Sequence, residues 1–525
     1  MEHNVLEMDV LTYDGLRLTV GPTGDDELAR IIAEGGRRGE IYRRLRDFRD
    51  RYADLIRTRL PDIPRRVSGY NLDALLPENG FNVARALVGT ESTCVTVLEA
   101  TLQLIPAFAT RSILLLGFDD IYAATAGIPL YREHKPIALE GWDHELIEDN
   151  RRLGIHRSEI AQLPDGRGWI MAEFGGDTTE DADERANALF KAARKLDGFV
   201  EGKVVDDPKL EEDIWAVRES GLGATAFVPG KLDALPGWED SAVPPDQVSP
   251  YLRDLHRLFG KYEYGGSLYG HFGQGCVHVS ISFDLVTEPG LRAFRSFLEE
   301  ASDLVLSYGG SLSGEHGDGQ SRGELLEKMY GPELMGGFRE FKVIWDPSGA
   351  MNPGKLIDAN PILSDLKLGS DYRPSPVETH FAYPDDHGSF AHAVVRCQGI
   401  GKCRAVQGHT MCPSYQVTRE EMHTTRGRAR ILFEMLNGSK IDLWRSNEVE
   451  EALDLCLSCK GCKGDCPVSV DMATYKAEFL SHHYKGRLRP RQAYSLGLIY
   501  WWARLASHVP RAANVVSHAP VLSTL

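Results

Sequence analysis

The stretch Gly270–Phe283 reads GHFGQGCVHVSISF, and its second half decides the local fold. Val277, Val279, Ile281 and Phe283 alternate with His278, Ser280 and Ser282, the period-two pattern of a strand with one apolar and one polar face. His271 stands seven residues before His278. On one unbroken strand that odd spacing would send the two imidazoles to opposite faces. The FGQG turn between them lifts the restriction, because glycine permits a tight bend. Two converging neutral imidazoles suggest a metal, although a hydrogen-bonded structural pair is the commoner use of two such histidines.

Moving outward, VLEMDVLTYDGLRLTVG (Val5–Gly21) alternates around Asp14-Gly15 and predicts a hairpin. Asp25–Leu60 has helical periodicity interrupted at Gly35-Gly36 and ended by Pro61 and Pro64. VTVLEATLQLIP (Val95–Pro106), RSILLLGF (Arg111–Phe118), GWIMAEF (Gly168–Phe174) and YGGSLYGH (Tyr264–His271) predict strands, and Glu180–Leu196, Lys209–Glu219 and Pro289–Ser307 predict helices. This is an α+β or α/β pattern. Asp358–His392, rich in Pro, Asp and Ser, predicts a linker. Beyond it, helices are expected over Arg419–Leu436, Glu448–Cys456 and Met472–Tyr484, separated by cysteine clusters that suggest a degenerate duplication.

With 525 residues the chain is long enough for several domains. A formal net charge of −17 argues against a general nucleic-acid or anionic-membrane binder, leaving local basic patches open. MEHNVLEMDV lacks the charged and apolar regions of a signal peptide. LGLIYWWARLASHV, near the end, is broken by Arg504 and His508 and falls short of a membrane span. A cytoplasmic protein without a transmembrane segment is expected, peripheral membrane contact staying open.

Seven of the nine cysteines lie between Cys397 and Cys466, a crowding that favours metal ligation over disulfides. Cys456–Pro467, CLSCKGCKGDCP, has the C-x2-C-x2-C-x3-C-P spacing of four-iron clusters, in which the fourth thiolate serves the neighbouring cluster. Zinc is the blander alternative, but its motifs usually pair two distant knuckles. Cys397, Cys403 and Cys412-Pro413 repeat the motif imperfectly: Ile400 stands where the second cysteine belongs, and the last gap is stretched. Exchange of fourth ligands groups Cys456, Cys459, Cys462 and Cys412 in one site. The other keeps Cys397, Cys403 and Cys466, which leaves a three-iron cluster, a substitute ligand such as His409, or a vacant site as alternatives.

Gly309–Gly319, GGSLSGEHGDG, sets Glu315 beside His316 on a glycine-rich loop. No Lys-Ser/Thr pair follows and no dinucleotide fingerprint occurs, so a phosphate cradle is rejected. Glu315 can complete a His271, His278, Glu315 facial site with His316 nearby as a base, the bland alternative being a solvated loop carboxylate. IWDPSGAMNPGKL (Ile344–Leu356) punctuates the chain downstream.

HFGQGCVHV, SGEHGDG and DPSGAMNPGK together resemble the C-terminal substrate domain of FAD-linked oxidases, a family that includes D-lactate dehydrogenases, D-2-hydroxyglutarate dehydrogenase and the flavin subunit of glycolate oxidase. The fusion to the cysteine-rich domain resembles the family's long bacterial members. The resemblance implies FAD, [4Fe-4S] clusters, and a divalent metal, zinc in the first place, held by His271, His278 and Glu315. His316 would be the base, and Arg218 would grip the substrate carboxylate. Without the resemblance, Arg218 reads as a helix-surface ion pair with Asp213 or Glu219.

GYNLDALLPE (Gly69–Glu78) and VGTESTCVTVLEATLQLIP (Val88–Pro106) resemble the last part of the family's FAD domain. Gly89, Thr90, Glu91, Thr93 and Asn352 would be cofactor contacts, while Ser92 and Val95 replace glycines of that loop. Trp238–Pro244, WEDSAVP, stands where some relatives use a lysine, so a second acid group would be bound differently or be absent. The family's glycine-rich pyrophosphate loops are missing. An N- and C-terminally incomplete chain is therefore expected, the alternative being a partner that supplies the flavin half.

The expected fold is α+β. Residues 1–108 would be the end of a truncated FAD-binding (PCMH-type) domain, and 109–358 a ferredoxin-like α+β substrate and metal domain. Residues 359–392 would be the linker, 393–490 a small α-helical iron–sulfur domain, and 491–525 the start of a further region. The expected activity is oxidation of a D-lactate-like 2-hydroxy acid by hydride transfer to flavin. The electrons would pass through the clusters to a quinone, a cytochrome or an electron-transfer protein. The main alternative is an iron–sulfur electron-transfer or assembly module needing a partner for its flavin half. A His/His/Glu metallohydrolase ranks last because it leaves the clusters unexplained.

Overall fold

Among the residues described by the computed structural model (2–408, 410–438, 441 and 443–519), the period-two runs become ten strands in two sheets, and the chain divides into two units at Tyr372 and Arg373. In the first unit β1 (Val5–Leu11) lies between β2 (Arg17–Val20) and β3 (Thr96–Leu102), antiparallel to both. The connection of β1 to β2 is wider than a two-residue turn. Thr12 and Leu16 close it by backbone hydrogen bonding, and the Thr12 hydroxyl accepts from the Leu16 amide at 3.0 Å. All seven residues of β3 are exposed. Two helices follow β2, Asp25–Glu34 and Gly36–Arg59; they part at Gly35 and Gly36, both at positive φ.

The larger sheet has the order β7-β4-β6-β5-β9-β10-β8, formed by β4 (Thr110–Phe118), β5 (Ala138–Asp143), β6 (Gly168–Gly176), β7 (Phe199–Val205), β8 (Ser241–Ala242), β9 (Gly266–Gly270) and β10 (Cys276–Ile281). Every one of these pairings is antiparallel. Apolar residues fill both faces of its centre. Ile113, Leu115, Trp142 and Met171 pack with the helix Pro208–Glu219 on one side, while Leu114, Leu116, Ile170 and Ala172 belong to the main core on the other. A strand buried on both faces reads as a continuous apolar run, which is what RSILLLGF is. Helices and an antiparallel sheet make the unit α+β.

In the second unit, helices run over Phe390–Val395, Pro413–Thr418, Thr425–Asn437, Asn447–Asp454 and Met472–His483. The single helix expected over Arg419–Leu436 starts later: Arg419 takes a left-handed conformation, and Thr424 caps a new start by accepting from the Gly427 amide. The Pro-rich stretch 359–392 is packed rather than free. Ile362 joins the core of the first unit. In the second, the Ser375 amide donates to the Leu436 carbonyl, and Glu478 accepts from the His380 and Phe381 amides.

Candidate functional site

Gly270 ends β9, His271 opens a short 3-10 turn over Phe272–Gln274, and Gly275 closes it with φ +78°. A Cβ at Gly275 would lie 1.8 Å from the Val243 carbonyl oxygen, so only glycine makes this turn. His278 then sits on β10 opposite Tyr269. The bend brings the two imidazole centroids to 5.3 Å, nearly perpendicular. Their outer nitrogens are engaged: His271 Nδ1–H donates to Glu140 at 2.8 Å, and His278 Nδ1–H to the Glu239 carbonyl at 3.0 Å. That fixes each ring and aims both Nε2 atoms at one point.

At that point is Glu315. Its Oε1 lies 3.1 Å from His278 Nε2, 3.5 Å from His271 Nε2 and 3.4 Å from His316 Nε2. Three imidazoles hold the Glu315 carboxyl far below its usual range. Burial lowers the affinity of His271 for a proton, but hydrogen bonds to Glu140 and Glu315 outweigh it and raise the pKa to about 9. Hydrogen bonding to Glu239 and Glu315 raises His316 to about 10. The His316 ring stacks on His278 with centroids 5.1 Å apart and remains exposed.

The loop that presents Glu315 and His316 is tied to one buried carboxylate that the sequence did not single out. Asp240 Oδ2 accepts from the Ser313 hydroxyl at 2.5 Å and from the Gly314, Glu315 and His316 amides at 3.1, 3.0 and 2.7 Å. The Cys276 thiol donates to its other oxygen at 3.3 Å. Asp240 lies close enough to His278, Glu315 and His316 to join a ligand group, but its oxygens are already committed to the loop. From the N-terminal segment, Arg65 donates to Glu315 Oε2 at 2.8 Å, and Asp318 accepts from Ser68 and the Gly69 amide.

Arg218 is buried and makes neither of the surface pairs considered for it. Its Nη2 and Nε lie 2.8 and 3.0 Å from Glu140 Oε2, and its guanidinium covers the Tyr269 ring at 5.2 Å. Glu140 therefore joins Arg218 to His271. A cavity of about 580 Å³ opens further along the polar face of β10, lined by Ser280, Ser282, Ser267, Lys231 and His256. It contains none of the four converging residues, and its Lys231 is held by Glu145 and Asp149.

The side chains nominated for the flavin are used within the protein. Glu91 accepts from the Asp318 and Gly319 amides at 2.8 and 2.9 Å. The Thr93 hydroxyl donates to the Thr90 carbonyl and meets the Tyr70 hydroxyl, both at 2.6 Å. Thr90 donates to the Leu87 carbonyl at 2.9 Å, and Asn352 to the Glu91 carbonyl at 2.7 Å. Gly89 takes φ +79° with open space where a Cβ would be.

In the second unit one hollow is lined by Cys412, Cys456, Cys459 and Cys462 together with Thr425, Arg428 and Met472. The Thr425 amide donates to Cys412 Sγ at 3.0 Å. Burial pushes the Cys462 thiol up to about 11 against a hydrogen bond from the Met472 amide. Burial likewise raises Cys466, opposed by the Val470 and Val468 amides, and Cys397 and Cys403 are near enough to add to the rise. Four thiols thus line one hollow, while Cys397 and Cys403 lie near Cys466, and Cys403 also lies near Cys412. Four sulfurs around one hollow, with amides aimed at sulfur, fit an iron–sulfur cubane. His409 lies outside the described residues.

Residues 109–356 match the family described as FAD linked oxidases, C-terminal domain, and residues 393–470 match the 4Fe-4S dicluster domain. The chain thus joins an FAD linked oxidase C-terminal domain to a 4Fe-4S dicluster domain. It is 27% identical to a D-2-hydroxyglutarate dehydrogenase of Pseudomonas putida over 99% of this chain and 56% of that protein. It is 26% identical to a D-2-hydroxyglutarate dehydrogenase of Escherichia coli over 92% of this chain and 52% of that one. A D-lactate dehydrogenase of Anaerostipes hadrus is 27% identical over 53% of this chain and 58% of its own length. The chain spans about half the length of these curated relatives. No helix among the described residues is long and apolar enough to cross a membrane.

Proposed function

We propose that this chain provides the substrate side and the electron relay of an FAD-dependent dehydrogenase that converts a D-2-hydroxy acid to the 2-oxo acid. The observation that carries the reading is the meeting of His271, His278 and Glu315, with His316 beside them, in a domain matched to FAD linked oxidases. Two imidazole Nε2 atoms and a carboxylate suit a divalent metal, zinc first, and leave positions for a substrate. Cys412, Cys456, Cys459 and Cys462 would hold one [4Fe-4S] cluster, with Cys397, Cys403 and Cys466 at the irregular site. When bound, the metal would supply Lewis acidity to the 2-hydroxyl, the flavin would accept hydride from C2, and the clusters would pass on single electrons.

The chain's own residues place the acid and handle one proton. With Glu315 turned to a metal, His316 would lose the Glu315 hydrogen bond that helps keep it protonated and would take the hydroxyl proton at Nε2, while Glu239, 3.7 Å from Nδ1, steadies the imidazolium that forms. Arg218 grips the substrate carboxylate while Glu140 and Tyr269 hold its guanidinium in position. Gly89, Thr90, Glu91, Thr93 and Asn352 shape the flavin side through the backbone, their side chains being engaged elsewhere. Trp238–Pro244 brings Glu239 and Asp240 to the site instead of a lysine, and the nearby Arg65 and Arg322 are already paired with Glu315 and Glu239, which favours a monocarboxylic, D-lactate-like substrate over a dicarboxylic one. Arg218→Lys, which loses the fork and the ring contact, is expected to raise KM for D-lactate about tenfold with a smaller change in kcat. Steady-state kinetics checks this, and an unchanged KM would remove Arg218 from the binding site.

A second reading, in which a partner polypeptide supplies the flavin half, is favoured by β3, exposed along its whole length with Val97, Leu98 and Leu102 in solvent. The test is anaerobic addition of D-lactate to the purified chain supplied with FAD, zinc, iron and sulfide. Bleaching of the flavin band followed by a paramagnetic signal from reduced clusters is expected. A chain that takes up iron but no flavin favours the second reading, and flavin uptake without bleaching by any D-2-hydroxy acid rejects the first.

A further inference from the structure

We propose that the C-terminal region, from Lys485 through the helix Pro510–His518, is a docking surface for an anionic lipid bilayer and lies in the plane of its headgroups. The observations come from composition and exposure alone and do not depend on the chemistry assigned to the histidine site. From Phe479 to Leu525 the sequence has no Asp or Glu, yet it carries Lys485, Arg487, Arg489, Arg491, Arg504 and Arg511 in a chain whose formal net charge is −17. Within that basic stretch stand Tyr494, Tyr500, Trp501 and Trp502.

After the five-residue helix Arg491–Ser495, two longer helices fall in this region, Ile499–His508 and Pro510–His518, and none of the three has a buried residue. The first of the longer two is two-sided at the helical period. Ile499, Trp502, Leu505 and Ala506 share one face, and Tyr500, Arg504, Ser507 and His508 the other. The second repeats the arrangement, with Ala512, Val515 and Val516 on one face and Arg511, Asn514 and His518 on the other. The apolar faces meet solvent: Trp502 is 48% exposed and Leu505 58%, and Val515 and Val516 are exposed as well; Trp501, 59% exposed, stands at the border of the first face beside His508, and Leu488 and Leu496 are exposed ahead of the two helices. Trp502 is fixed by its indole N–H, which donates to the Tyr494 carbonyl at 2.7 Å, so its apolar ring is presented rather than folded away.

A run of exposed tryptophan, leucine and valine is costly in water and marks an interaction site. Its occupant follows from the charge. Basic side chains in a stretch of sequence that carries no acidic residue call for a surface that is both anionic and apolar beneath, and the headgroup layer of a bilayer with anionic lipid offers both. Tryptophan and tyrosine favour that depth, since an apolar ring and a polar edge are satisfied together there. Because no described helix is long enough to span, the helices rest in the interface.

The full chain, loaded with iron and sulfide, is mixed with vesicles of phosphatidylcholine alone or of equal parts phosphatidylcholine and phosphatidylglycerol, then sedimented. It is expected to follow the mixed vesicles, to bind pure phosphatidylcholine about tenfold less, and to be released by high salt. The double variants Trp501→Ser/Trp502→Ser and Arg487→Glu/Arg489→Glu should each lower binding to the mixed vesicles about tenfold while keeping the iron content of the parent. Failure to follow the mixed vesicles overturns the proposal, as does equal binding by the parent and both variants. Association of the chain with itself, abolished by the tryptophan variant and unaffected by vesicles, overturns it in favour of a contact between copies.

Discussion

His278→Ala is expected to strip the first unit of its divalent metal and to lower oxidation of a D-2-hydroxy acid by about three orders of magnitude. The magnitude follows from the loss of several kcal/mol of charge stabilisation when a Lewis acid is removed, one decade for about each 1.4 kcal/mol. The ring is buried, its Nδ1–H is spent on the Glu239 carbonyl, and its Nε2 lies 3.1 Å from Glu315 Oε1. Replacing it therefore removes one donor and leaves Glu315 facing the remaining two imidazoles. Metal analysis of the purified variant and its kcat/KM should fall together, while cluster iron in the second unit is unchanged. Ser280→Ala, two residues along the same polar face, is the control and should retain its metal. Full metal content in His278→Ala would refute the ligand role.

Asp240→Ala should destabilise the first unit by about 3 to 5 kcal/mol, and the metal should be lost before the chain unfolds. The carboxylate is wholly buried and collects the Ser313 hydroxyl and three consecutive amides. Alanine leaves those donors without an acceptor, and each buried orphan costs about 1 to 3 kcal/mol, partly recovered by relaxation or entering water. Urea unfolding should show a lower midpoint at unchanged slope. Asp240→Asn retains one carbonyl oxygen and should lose about half as much, which keeps the test readable if the alanine variant does not fold. A midpoint shift with full metal binding would mean that Glu315 and His316 are positioned without Asp240.

These two residues mark the difference between what was legible and what was not. His278 stood on a polar strand face in a period-two pattern, and β10 runs from Cys276 to Ile281 as that pattern requires. Glu315 and His316 were conspicuous as charged residues in a glycine-rich loop. Asp240 was only one acid in WEDSAVP. Its partners in the loop are 73 to 76 residues away, and no local periodicity signals a carboxylate that will serve amides so distant. Glu140 lies 131 residues from His271 and 78 from Arg218. Arg65 lies 250 residues from Glu315.

The sequence by itself determined most of the elements and the residue types that gather at the two candidate sites. Strands came from alternation, helices from periodicity with glycine and proline stops, and the cysteine site from a spacing so short that one loop delivers Cys456, Cys459 and Cys462 to one hollow. Only the tertiary structure decided which groups complete those lists. It turned Arg218 inward to Glu140, spent Glu91 on the Asp318 and Gly319 amides, and left β3 and the C-terminal helices in solvent. The physical reason is range. Local pattern encodes φ/ψ preference and the face a side chain points to, whereas a buried carboxylate is positioned by donors that meet it only after distant segments have packed.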